Sequence, residues 1–481
     1  MQPIHQFWKN SVIYGIGSVL VRAISFFLLP LYTNAFTQSE TGYIFLVFTF
    51  IAFAQIMYYH GMESSFLQYY KQDSLDKDSV GRTSLIMLLI TSILLSGVII
   101  QFADFISIQL FGLQQETWVI YCAGILFFDV FSSRIMTSLR IKEKAITFFI
   151  ISIVNVLFTL LTSYFLVIYY GLGIDGILIG VLGGTIIRWA LLLPSSYGIL
   201  SKGTFSINIA RKLLRFGLPF FPAAFFYLVL EMSDRYLLFW ILGPEAVGVY
   251  SIGYKIGSLG MFIIIAFNLG WQPFYIKIGN QENAANTFGN IGTKFLLIMI
   301  SFWALIVFWT HVFMRIKLGS NYIIGEEFWA SEQIVSIIFS AYIFYAGYII
   351  LMPSIYLFEK QNWSPVFRGT GALLNICLNL LFIRYWGLVG AAFATLISYM
   401  AMFLFIFVKS DKWMKIPYSW NIILKHFIIT SIFIFVYSMM QKTVLFSLGI
   451  SFIYFILVVL IYGKKTILRD IKQFRSILND A

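Results

Sequence analysis

Long apolar runs follow one another along this chain, most of them about 20 residues or more, separated by short polar connections. Runs of that length cross a bilayer as helices. They exclude the alternating segments of about ten residues that build an outer-membrane barrel. The pattern predicts an all-α polytopic membrane protein with about 14 transmembrane helices. They fall at roughly 11–33, 42–69, 83–104, 117–139, 145–169, 174–199, 215–241, 247–273, 291–314, 332–358, 364–384, 387–408, 421–440 and 444–462. The first run is too long for the apolar core of a signal peptide and has no clear small-residue cleavage site, so it reads as a retained span.

Composition agrees with the pattern. Of the 481 residues 60% are hydrophobic and 11% charged, whereas soluble domains carry about a quarter charged residues. Cys122 and Cys377 both fall inside predicted spans and read as packing residues, neither a disulfide nor a metal pair. The net charge of +12 changes meaning once its distribution is followed. Lys9 precedes the first span, and alternate connections then carry Lys71, Lys77 and Arg82; Arg140, Lys142 and Lys144; Lys202, Arg211, Lys212 and Arg215; Lys277 and Lys294; Lys360 and Arg368; and Lys409, Lys412, Lys415 and Lys425. The tail adds Lys464, Lys465, Arg469, Lys472 and Arg475, while the opposite loops hold only Arg315, Lys317, Arg384 and Lys442. The positive-inside rule therefore predicts that both termini, and the loop near Lys142, are cytoplasmic, with the turn at Ile174 and the loop near Glu326 outside. The basic charge is a topology signal with scope for anionic-lipid contact, and no nucleic-acid motif accompanies it.

The remaining charges carry the chemistry. Arg22, Arg134, Arg188, Arg235 and Lys255 lie within predicted spans, opposed by Glu63, Asp129, Glu231 and Asp234. An ionisable group in hydrocarbon costs about 2.5–3.5 kcal/mol on insertion scales, so such residues face protein, a wet cavity or each other. Arg22 and Arg188 sit midway along their spans, whereas Arg134 and Arg235 lie nearer helix ends and can instead snorkel to an interface. Glu231, Asp234 and Arg235 share one helical face, on which Glu231 and Arg235 can pair. Static pairing and a transport role are both open for these groups. His60 and Glu63, near a span end, read as solvated or structural, since no second ligand stands at a metal-binding spacing. No site for a catalytic triad, phosphate-binding glycine loop, metal or cofactor is predicted.

An internal repeat organises the spans. SETGYIF and PEAVGVY place Gly42 against Gly248, and YGLGIDG and YWGLVGA place Gly173 against Gly387 and Gly176 against Gly390. Six spans per repeat return the chain to the same side, which predicts two like-oriented lobes, 1–200 and 201–408, followed by 409–481 with two extra spans and a basic cytoplasmic tail. A substrate path would lie between such lobes near the midplane.

The stretch LLRFGLPFFPAAFFYLVLEMSDRYLLFWILGPEAVGVYSIGYKIG resembles the seventh and eighth spans of Wzx-type polysaccharide flippases, Arg215–Pro222 and Ser233–Tyr250 above all. Val21–Leu46, LRIKEKA at Leu139–Ala145 and GALLNICLNLLFIRYWGLVGAAFATLISY at Gly371–Tyr399 resemble the corresponding stretches of the same family. That family belongs to the multidrug/oligosaccharidyl-lipid/polysaccharide exporter superfamily, and the likeness runs from about Val12 to Val408. It implies a V-shaped, MATE-like bundle of two six-helix lobes around a cationic cavity. It also implies translocation of an undecaprenyl-diphosphate-linked oligosaccharide across the bacterial inner membrane by alternating access, for O-antigen, capsule or related polysaccharide assembly. Arg22 and Lys255 occupy places where the family has cavity-facing basic residues, with Arg235 in the Asp-Arg pair of the seventh span.

The residue chemistry fits that implication. Arginine pairs with phosphate oxygens through its planar fork, so Arg22, Arg188, Lys255, Arg134 and Arg235 are the candidate diphosphate contacts, with Asp129, Glu231 and Asp234 as gate or coupling residues. Coupling can come from H+, Na+ or the membrane potential alone. The implied partners are the lipid-linked oligosaccharide, membrane lipids, and a polysaccharide polymerase with its chain-length machinery. Three alternatives remain: a multidrug cation antiporter, which would prefer an acidic cavity; a membrane glycosyltransferase or polymerase, which would carry a larger catalytic outer loop than Arg315–Ser331; and a purely structural scaffold, against which the charge within the spans argues.

Overall fold

A computed structural model of the chain describes residues 26–70 and 75–462. Arg22, the glycine-rich start of the first predicted span, Lys71 and the basic tail lie outside the described residues. Among those described the chain is helical throughout, apart from a two-stranded antiparallel hairpin pairing Lys317–Leu318 with Asn321–Tyr322. Among the described residues eleven helices are long and apolar enough to cross a membrane, and the longest stretch, Gln361–Ser410, is broken within Ser364–Ser410 at Gly387, whose φ of 56° no helix accommodates. The protein is therefore a multi-pass, all-α membrane protein. Its outward apolar side chains, among them Leu94, Phe105, Leu161 and Leu445, would be a liability in water and are the lipid face.

Several predicted spans are more broken than their hydropathy suggests. The second is two helices, Gln38–Tyr59 and Met62–Tyr70, separated where His60 and Gly61 take positive φ. The seventh is an amphipathic helix, Ile207–Gly217, then the 3-10 turn Leu218–Phe220, then Phe221–Leu242. The eighth is Pro244–Gly257 followed by Leu259–Ile278. Local sequence explains some of these boundaries: Thr37 and Glu40 form a capping box at the start of Gln38–Tyr59, with Thr37 N donating to Glu40 Oε2 at 2.9 Å and Glu40 N to Thr37 Oγ1 at 3.3 Å. Asp76 caps Lys77–Gln101, and the Ser79 hydroxyl bond to its carboxylate holds its pKa below the usual range.

The helices form two compact units that do not follow chain order. One comprises residues 26–251 with Ser364–Ala391. In it Glu116–Ile141 packs between Lys77–Gln101 and Gly173–Leu200, and Ala145–Ile168 forms a hairpin with Gly173–Leu200. Two glycine contacts set its geometry. Gly42 and Gly248, matched by the sequence repeat, meet each other: a Cβ on Gly248 would lie 3.1 Å from Gly42 N and inside contact distance of Gln38 O. Gly61 meets Gly217 of the FGLPF motif backbone to backbone, and Ser65 Oγ donates to Leu213 O at 2.7 Å beside it. The unit's core includes Tyr58, Met62, Phe66, Leu126 and Leu213. Ser233 Oγ donates to Asn375 Oδ1 at 3.2 Å, tying Phe221–Leu242 to the Ser364–Ala391 segment.

The other unit comprises Ile252–Trp363 and residues 392–462. Ala284–Met314 packs on Glu332–Ile350, and Trp420–Met439 and Val444–Tyr462 close over it around Phe308, Tyr437 and Tyr454. Glu332 fastens this arrangement: its carboxylate accepts from Lys442 Nζ at 2.5 Å and Arg315 Nη1 at 3.1 Å, with His311 Nδ1 at 2.9 Å. The Arg315 guanidinium also lies 4.2 Å from the Trp329 ring centroid. The sequence reading placed Arg315 and Lys442 in outer loops but passed over the carboxylate that gathers them.

Candidate functional site

The charged residues assigned to span interiors separate into distinct clusters. The first joins helices distant in sequence. Asp129 of Glu116–Ile141 forms an ion pair with Arg188 of Gly173–Leu200, and it also accepts from Gln55 Nε2 at 2.6 Å and Tyr59 OH at 3.1 Å. Gln55 and Tyr59 stand four residues apart on Gln38–Tyr59 and so present to the same face. The Asp129 side chain keeps 20% of its exposure and Arg188 10%, and Arg188 Nε has no hydrogen-bond partner among the described residues. Three donors on one carboxylate replace part of the hydration that burial removes.

The second cluster is local in sequence and dry. Arg235 Nη1 donates to Asp234 Oδ1 at 2.8 Å and to the main-chain oxygen of Glu231 at 2.7 Å, and Tyr250 OH donates to Asp234 Oδ2 at 2.5 Å. Asp234 and Arg235 retain only 1% and 5% of side-chain exposure. Both Arg235 and Glu231 are buried, so Arg235 turns inward and does not snorkel. Its neighbour in sequence already supplies the counter-charge, which makes the interior the lower-energy choice.

Arg134 is also buried, where a position near a helix end had left snorkelling open. Its Nε donates to Ser84 Oγ at 2.9 Å, Nη1 to Ser138 Oγ at 3.2 Å, and its guanidinium lies 3.1 Å from the Phe66 ring centroid. Hydroxyls and an aromatic face take the place of a carboxylate there. Lys255 is half-buried near the end of Pro244–Gly257, in the other compact unit from Arg188 and Asp129. Glu63 is half-exposed and pairs with Arg140 at 2.6 Å, with Thr137 Oγ1 donating to the same oxygen at 3.2 Å. That agrees with the solvated or structural reading. His60 is buried, with Nδ1 2.8 Å from Tyr58 O.

Beside the Asp129 cluster lies a cavity of about 270 Å³, lined by Gln55, Tyr59, Glu63, Ser64, Phe220 and Phe221. Polarity alone did not mark Gln55 and Tyr59 as site residues. The available signal was their i, i+4 spacing inside an otherwise apolar run that must share a bundle with Asp129. In the other unit an apolar groove of about 310 Å³ is lined by Ile300, Phe344, Gly347, Phe403, Trp420 and Phe427.

The class these features define is a polytopic helical membrane protein with buried, paired charges and a polar cavity. The chain belongs to the polysaccharide biosynthesis protein family, whose model matches residues 35–323. Among curated proteins it is 21% identical over 247 residues to a probable low-salt glycan biosynthesis flippase, Agl15, of Haloferax volcanii, and it spans about half the length of that relative (49% of each chain). Among solved structures it is similar in fold to the lipid II flippase MurJ in an inward closed conformation, with TM-score 0.73, 17% identity, and 94% of this chain and 99% of that one covered. An inward-facing multidrug resistance MATE family transporter of the MOP superfamily matches with TM-score 0.62 and 15% identity, covering 84% of this chain and 94% of that one.

Proposed function

We propose that the protein is a flippase, not an enzyme, that carries a polyprenyl-diphosphate-linked oligosaccharide from the cytoplasmic to the outer face of a bacterial inner membrane by alternating access. The observation that carries this reading is the placement of the Asp129–Arg188 pair inside a membrane helix bundle of the polysaccharide biosynthesis family. The lipid tail can stay in the bilayer, whereas the diphosphate and sugars need a polar path. Arg22, Arg188 and Lys255 would meet the diphosphate, with Arg134 and Arg235 in supporting places. For Arg188 this requires the substrate to compete with Asp129, a carboxylate for phosphate exchange that the guanidinium fork suits. Asp129, Glu231 and Asp234 would couple or gate the cycle, with H+ or Na+ as coupling ion. An inside-negative potential alone favours outward movement of negative charge by about 2.3 kcal/mol per charge per 100 mV. Both termini would be cytoplasmic, and a polymerase with its chain-length machinery would consume the product. O-antigen, capsule and related glycans are the candidate cargoes.

The test is surface polysaccharide in the host strain, normalised to membrane protein level, for Arg22→Ala, Arg188→Ala and Lys255→Ala. Each should lose most export while inserting normally. Normal export by all three variants would sink the diphosphate assignment, and accumulation of cationic dyes in their place would favour the antiporter.

A further inference from the structure

The cavity beside Asp129 lies within one compact unit and is walled on opposite sides by Gln38–Tyr59 and the start of Phe221–Leu242. Its chemistry is specific. Aromatic surface comes from Tyr59, Phe220 and Phe221; polar groups come from Gln55, Glu63 and Ser64. These polar groups are held from behind: Gln55 Nε2 and Tyr59 OH are fixed on Asp129, and Glu63 Oε1 takes Arg140 and Thr137. What remains uncommitted among the described residues is Gln55 Oε1, Glu63 Oε2 and the Ser64 hydroxyl.

Three ligand chemistries can be weighed against that wall. A phosphate would meet the Glu63 carboxylate, and the Arg140 beside it is already paired to that same acid. An acyl chain would desolvate Glu63 and Gln55 without replacing their hydrogen bonds. An organic cation would find Glu63 already neutralised by Arg140. A sugar ring satisfies the wall on all counts: its hydroxyls donate to the amide and carboxylate oxygens, and its C–H face lies on aromatic surface. The volume, about 270 Å³ and just under the range of about 300–1,000 Å³ for drug-sized ligands, is room for one ring within the cavity itself.

We infer that this cavity is a subsite for a single neutral pyranose of the lipid-linked glycan, with Gln55 and Glu63 accepting its hydroxyls and Tyr59, Phe220 and Phe221 packing on its apolar face. The inference rests on the flippase reading and assigns to it a sugar-recognition site apart from the diphosphate contacts. It makes Asp129 a positioning residue for Gln55 and Tyr59.

The full-length protein in lipid nanodiscs is titrated with undecaprenyl diphosphate and with the same lipid diphosphate carrying one glucose, galactose or N-acetylglucosamine. Two or three net hydrogen bonds predict that at least one sugar-bearing lipid binds about tenfold tighter than the bare one. Ala224→Phe and Ser64→Tyr narrow the cavity from its small-residue walls without touching the Asp129 cluster. Each should erase that difference and leave bare-lipid affinity within about twofold. Glu63→Gln should reduce it for one sugar more than for the others. Equal affinities for all four lipids in the unaltered protein overturn the subsite, as does a preference that survives both filled-cavity variants. Failure to bind any of the four lipids instead removes the flippase reading, and the subsite with it.

Discussion

The two interior acid–arginine pairs differ in how the chain makes them. Asp234 and Arg235 are consecutive residues on one helix, so their pairing needs no second helix to bring them together, and Tyr250 completes a dry cluster. Asp129 and Arg188 lie 59 residues apart and meet only because two helices pack, and they keep some contact with a polar cavity through Gln55 and Tyr59. A dry local pair contributes chiefly to holding its helix in place. A semi-open, long-range pair can be broken by anything that moves its helices or competes for its arginine, and that is what a transport cycle requires.

The strongest way to test the contrast is to remove each acid. Asp234→Ala leaves Arg235 buried without its carboxylate and should cost about 3–5 kcal/mol, read as loss of monodisperse protein on extraction. Asp129→Ala should cost less, about 1.5–3 kcal/mol, because the Asp129 and Arg188 side chains keep 20% and 10% of their exposure, which lets water reach the arginine. Its loss of export should therefore exceed its loss of protein. If Asp129→Ala lowered both in proportion, the two clusters would be alike and the open one would be structural. Pairwise removal, Asp129→Asn with Arg188→Gln, should recover stability relative to Asp129→Ala without recovering export.

A smaller effect sharpens the same comparison from the backbone side. Gly248→Val pushes Pro244–Gly257 off Gln38–Tyr59, where backbone atoms cannot yield, and withdraws Tyr250 from Asp234. We expect a loss of about 1–3 kcal/mol in thermal unfolding, with the export proposed for the Asp129 cluster changed only through protein amount. Tyr59→Phe, which leaves Asp129 with two donors, should cost about 0.5–1.5 kcal/mol. Glu63→Gln, at a half-exposed ion pair, should change stability by less than about 1 kcal/mol and the change should fade at high salt. A larger, salt-insensitive effect would place Glu63 among the buried clusters.

What could be read in the chain follows from range. The all-helical, multi-pass character was legible because about 20 apolar residues in a row have few alternatives in a bilayer. The grouping of Glu231, Asp234 and Arg235 was legible because residues three and four apart share a helix face; that Arg235 takes the carboxylate of adjacent Asp234, with Tyr250 on the same group, was decided by packing. Breaks at His60–Gly61 and Ser258 were not legible, since hydropathy averages over them. The first depends on Gly61 lying against Gly217 of a helix more than a hundred residues away. The inward turn of Arg134 was equally hidden: a position near a span end permits snorkelling, and only the Phe66 ring and the Ser84 hydroxyl make burial the better choice.

By itself, the sequence determined a membrane-spanning helical chain, the residues that hydrocarbon could not tolerate unpaired, and a likeness to polysaccharide flippases that the family match over residues 35–323 bears out. The tertiary structure decided which charge meets which: Asp129 with Arg188, Gln55 and Tyr59, and Glu332 with Arg315, His311 and Lys442. Insertion energetics act on each span separately and are written in its composition. Partner choice is settled when helices pack, among donors tens to more than a hundred residues apart, by geometry that no local spacing encodes.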